Sequence, residues 1–170
     1  MSKRIFKAAM IVAALGSFSG TSAYAASGNT STAAGSVAAS VVAPIVLTHT
    51  TGAALNFGKF TVAGAGTVVV AAAGGGSTTG SVNFVPGSTV ATDAFTLTGD
   101  ANRSFSIATT NSTIAFGAKT IAFSTAASAA TAKLSATGAA NFTVGGTLTL
   151  VGTETAGNYT GSYNATVTYN

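Results

Sequence analysis

The chain has no cysteine and no tryptophan, one histidine and two prolines, and only 6% of its 170 residues are charged. Without cysteine there is no disulfide, no thiol nucleophile and no thiolate metal site. Glu, Lys and Leu are too scarce for a long coiled coil. With 47% apolar residues and little net charge, the chain is not one held unfolded by its own repulsion. What remains is Gly, Ala, Thr, Ser and Val in a length that suits one domain.

The formal charge of +4 is concentrated at the start. Lys3, Arg4 and Lys7 precede the apolar run 8–15, and small residues then lead to Ala23-Tyr24-Ala25. A basic segment, a short apolar segment and an A-x-A site form the layout of a secretory signal, expected over residues 1–25. The remainder keeps Lys59, Arg103, Lys119 and Lys133 against Asp93, Asp100 and Glu154, a net charge of +1. No basic stripe is left for nucleic acid. No later run approaches the roughly 18 apolar residues of a membrane span. The expected location is therefore outside the cytoplasm, at the cell surface, in the periplasm or beyond.

Residues 26–35 are small, polar and without period, and read as a flexible arm. From Ser36 a two-residue alternation sets in, with Val37, Ala39, Val41, Ala43, Ile45 and Leu47 in one phase. That pattern predicts a strand with one buried face, and Pro44 predicts a bend or edge position within it. Residues 26–43 thus form a leader and first strand, and residues 44–170 the domain. Further strands are expected at 55–60, 67–72, 81–85, 94–98, 104–109, 114–116, 119–123, 141–144, 147–151 and 159–169. Gly145-Gly146 suits a tight hairpin turn. Gly64-Ala65-Gly66, Pro86-Gly87 and Gly117-Ala118 read as turns. The alanine-rich stretch 126–136 reads as loop and strand in preference to a short helix. Many short Thr- and Val-rich strands between turn signals predict an all-β sandwich.

The inventory for chemistry is thin. His49 lies in a loop-like stretch with no nucleophile motif around it, and reads as a surface or loop residue. Asp93 and Asp100 flank a predicted strand. At about 3.3 Å per residue they stand roughly 20 Å apart, too far for paired acid–base work, and read as turn residues. Neither a metal set nor a phosphate loop is complete. The expectation is a protein that is not an enzyme and carries no cofactor or metal.

The most specific pattern closes the chain. Tyr159, Gly161, Tyr163, Ala165, Val167 and Tyr169 share one phase, and Gly157 and Tyr169 stand fourteenth and second from the end. This resembles the last strand of subunits assembled by the bacterial chaperone–usher route. The segment Val37 to Leu47 is similar to the extended N-terminal segment of alpha-type fimbrial subunits. Pro44-Ile45, Leu55-Asn56-Phe57-Gly58, Val144-Gly145-Gly146-Thr147-Leu148 and Gly157-x-Tyr159-x-Gly161-x-Tyr163 through Tyr169-Asn170 look closer still to a bacterial domain-of-unknown-function family. That family consists of small exported proteins often treated as pilin-like. The likeness covers roughly residues 36–170. One departure is the lack of cysteine, since many better-known pilins carry a disulfide.

The resemblance implies an immunoglobulin-like (pilin-like) β-sandwich lacking one strand and completed by an N-terminal strand donated from another molecule, in a fibre or pilus subunit. Val37, Ala39 and Val41 would be the donor side chains. Gly157, Tyr159, Tyr163, Ala165, Val167 and Tyr169 would face a chaperone first and line the core later. The implied partners are identical subunits, a periplasmic chaperone and an outer-membrane usher. Two alternatives stand beside it: the arm as the first strand of a complete sandwich, and a monomeric exported sandwich that binds a surface glycan or protein.

Overall fold

The computed structural model describes residues 28–170. The expected secretory leader, 1–25, and the first two residues of the expected arm lie outside the described residues. The chain divides into two units, Met1–Ala39 and Ser40–Asn170. The described part of the first, residues 28–39, has neither strand nor helix.

The second unit is built from eleven strands. They are β1 (Val46–His49), β2 (Phe60–Val70), β3 (Gly76–Phe84), β4 (Asp93–Thr98), β5 (Ser104–Thr109), β6 (Ser112–Phe116), β7 (Lys119–Ala127), β8 (Thr131–Lys133), β9 (Ala139–Leu150), β10 (Thr160–Gly161) and β11 (Ala165–Tyr169). All pairings are antiparallel. One sheet runs β1-β4-β9-β7-β6-β10, with β2 also on β9 and β3 on β2; the second runs β11-β5-β8. The molecule is an all-β sandwich, as the alternation predicts.

Strand β9 is the spine of the larger sheet. Asp93–Thr98 of β4 pair with its first half, residues 139–144. Residues 66–70 of β2 pair with its second half, 146–150. On the opposite edge β7 spans the junction between them, from Val144 to Leu148. Two apolar clusters result. One holds Val68, Val70, Val82, Phe123 and Leu148; the other holds Phe95, Leu97, Phe105, Phe142 and Val144. The second lies between the β4–β9 part of the large sheet and β5 of the small one. Each fully buried Phe or Leu contributes on the order of 2 kcal/mol.

Several expectations change. Gly145 and Gly146 are not a hairpin turn but lie inside β9, and both are buried. Gly64-Ala65-Gly66 is not a turn either: it sits inside β2 at a break in register with β3, a β-bulge. The predicted strand from Ser36 is limited to β1, because residues up to Ile45 have no pairing partner. The predicted final strand is two strands, β10 on β6 and β11 on β5, separated by residues 162–164. The stretch 126–136, by contrast, is loop and strand as expected: it closes β7, turns and forms β8. Cross-strand packing overrides the helix preference of alanine there.

Candidate functional site

β1 pairs only with β4 and β11 only with β5 among the described residues. Both strands therefore carry a free edge, and they belong to different sheets. Yet Ile45 and Leu47, beside and within β1, pack on the same apolar cluster as Ala165, Val167 and Tyr169 of β11. All five remain only half-buried. Unpaired backbone groups beside half-covered apolar side chains form an open seam, a site where another strand can add.

Two tyrosines of the C-terminal segment tie the rims of this seam together. At one end the Tyr169 hydroxyl donates to the Ala43 carbonyl (3.0 Å) and accepts from the Asp100 amide (2.6 Å). The Arg103 guanidinium lies 4.8 Å from the centroid of the same ring, a cation–π contact. At the other end stands Asp93, 5% exposed. Its Oδ1 accepts from His49 Nε2 at 2.6 Å and from the Ala94 amide at 2.8 Å. Its Oδ2 accepts from the Tyr163 hydroxyl at 2.7 Å. A buried carboxylate needs such donors, because burial without them is costly. Burial pushes the Tyr163 phenol well above its ordinary range, and the hydrogen bond to Asp93 and its negative charge push it further. Tyr163 thus stays a donor. Its ring meets Phe95 and Phe123 edge-on, each at 6.4 Å between centroids, and so touches both clusters.

Asp93 corrects its reading as a turn residue, whereas His49 is at the surface as expected but ends a strand instead of lying in a loop. His49 closes β1 and is paired; Asp93 opens β4 and points inward in phase with Phe95 and Leu97. Spacing could not reveal the trio, since Asp93 lies 44 residues from His49 and 70 from Tyr163. The available signal was phase: an Asp in step with two core residues implies a buried carboxylate that needs donors from elsewhere.

Beyond Tyr163 lies a separate groove of about 540 Å3, lined by Leu55, Phe57, Ile114, Phe123, Tyr159 and Gly161 among others. Gly157 sits at its edge beneath Phe116, where an added Cβ would overlap that ring. Phe116 is 43% exposed at the β6–β7 hairpin, so the ring has room to swing. Gly157→Ala should therefore cost only about 1 kcal/mol. In a Phe116→Ala background the same change should cost nearly nothing. Urea denaturation of the four proteins in that cycle measures the difference.

The residues singled out from sequence fall in three places. Gly157 and Tyr159 line the groove, Tyr163 bridges to Asp93, and Ala165, Val167 and Tyr169 line the seam. Val37 and Val41 are 98% and 96% exposed, and Ala39 is exposed between them. Among the described residues no helix is long and apolar enough to cross a membrane.

No curated protein and no solved structure matches the chain. A family model described as a domain of unknown function (DUF4402) matches residues 47–169, from the second residue of β1 to the last of β11. The Asp93 trio and the groove fall within that stretch, as does the seam apart from Ile45 and the Ala43 carbonyl at its end, and the chain belongs to the DUF4402 family.

Proposed function

We propose that the protein is a structural subunit of an extracellular fibre, joined head to tail by a strand that each molecule's N-terminal arm donates to the next. The observation that carries this reading is the open seam: two free edges and four half-buried apolar side chains, Ile45, Leu47, Ala165 and Val167, over one cluster. The arm suits it. Val37, Ala39 and Val41 present one apolar face, and no neighbour covers them. A strand added to β11 would satisfy its backbone groups at roughly 1 kcal/mol per hydrogen bond. Burying two valines adds on the order of 3 kcal/mol. Because donor and acceptor surfaces differ, the contact is heterologous and repeats into an open fibre.

An exported subunit with an open seam is an aggregation hazard until the donor arrives. That gives a periplasmic chaperone its role in covering β11, and an outer-membrane usher its role in exchanging that cover for the arm.

The test compares the exported protein with a version lacking residues 26–42 and with Val41→Asp. Size exclusion and negative-stain microscopy should show filaments or ladders from the first only. A folded monomer from all three would overturn the fibre reading and favour a sandwich that binds a surface glycan or protein. Filaments from Val41→Asp would remove the arm as donor.

A further inference from the structure

We infer that the donor seat is short: it is the stretch of β11 between Tyr169 and Tyr163, and the donated strand does not continue into the groove beyond. This rests on the fibre reading and specifies where the second copy's arm lies.

Three observations converge on it. The first is the bend. Residues 162–164 join no ladder, and the chain there passes from the sheet of β11 to the sheet of β10. A strand adding to an edge needs that edge to be continuous, and the edge of β11 ends at Ala165.

The second is the Asp93 trio. Tyr163 and His49 meet on one carboxylate, joining the two rims at that same point. At the opposite end Tyr169 joins them through Ala43. Between these ties β11 places only Ala165 and Val167 on the shared cluster.

The third is the fit of the arm. Val37 to Val41 spans four residue steps, about 13 Å when extended. Ala165 to Tyr169 spans the same four steps. Upstream of Val37, residues 28–36 offer no side chain larger than Asn or Thr. They could not fill a groove floored by Phe57, Phe123 and Leu148.

The absence of cysteine from the chain makes the test clean, because only introduced thiols can pair. Ser40, Thr166, Thr168, Thr160 and Asn158 are all exposed, so cysteines there leave the core intact. One pair of proteins carries Ser40→Cys with Thr166→Cys or with Thr168→Cys. A second pair carries Ser31→Cys, exposed in the upstream part of the arm, with Thr160→Cys or with Asn158→Cys. Neighbouring strands bring paired positions within disulfide reach.

After mild oxidation, reducing-agent-sensitive ladders are expected from the first pair alone. Ladders from the second pair would overturn the short seat while leaving the fibre reading standing. Filaments by microscopy with no ladder from any variant would also overturn the seat. If the unmodified protein forms no filaments and no variant forms ladders, the fibre reading itself falls.

Discussion

An Asp93→Ala variant should lose about 3 kcal/mol of stability, the sum of a stranded buried donor and a small void. The carboxylate receives three hydrogen bonds, from His49, Ala94 and Tyr163. Its removal strands the Tyr163 hydroxyl between two apolar clusters and leaves a void beside Phe95. An unmet buried donor costs roughly 1–3 kcal/mol. The His49 side chain is 49% exposed and can turn to water, which keeps the total from rising further. A domain of this size should melt about 10 °C lower. Asp93→Asn should fall between the two. Its amide keeps one acceptor for Tyr163, and its new donor can face His49, whose imidazole can present an acceptor by changing tautomer. Thermal denaturation followed by circular dichroism ranks the three proteins. An alanine variant within about 1 kcal/mol of the native protein would mean that the trio does not hold the rims together.

The alternation of apolar residues carried much of the fold. Phe95 and Leu97, Phe105 and Ile107, and Leu148 and Leu150 each point inward as their phase predicts. Local pattern could not reveal where strands change neighbours. β9 has one unbroken inward phase at Phe142, Val144, Leu148 and Leu150, yet two strands share one of its edges. The C-terminal pattern similarly ran through residues 162–164 without a break in phase, although the chain there leaves one sheet for the other. The pairing of Asp93 with His49 and Tyr163 lies beyond any local window. The half-burial of Ala165 and Val167 depends on what does not lie beside β11, and only the assembled sheets reveal it.

Gly145→Ala should be as damaging as the loss of Asp93, for a reason opposite to the one that made Gly145-Gly146 resemble a turn. Neither glycine is among the positive-φ positions. Their backbone is ordinary strand, and what they lack is bulk. A Cβ on Gly145 would overlap the Val70 carbonyl oxygen and stand 2.5 Å from the Ala72 amide nitrogen. Both are backbone atoms, so no rotamer change can make room. The chain leaving β2 would have to lift, breaking the 2.6 Å bond from the Thr143 hydroxyl to the Ala72 carbonyl. Overpacking of 1–3 kcal/mol plus a lost hydrogen bond of roughly 1 kcal/mol gives a loss of about 3 kcal/mol. Gly117 is the control. It has φ +58 and open space around its Cα, so alanine there meets only the left-handed backbone penalty of roughly 1 kcal/mol. Urea midpoints should therefore drop much further for Gly145→Ala than for Gly117→Ala. The reverse order would mean that the chain leaving β2 does not pass so close to Gly145 of β9, and the sheet junction would need to be redrawn.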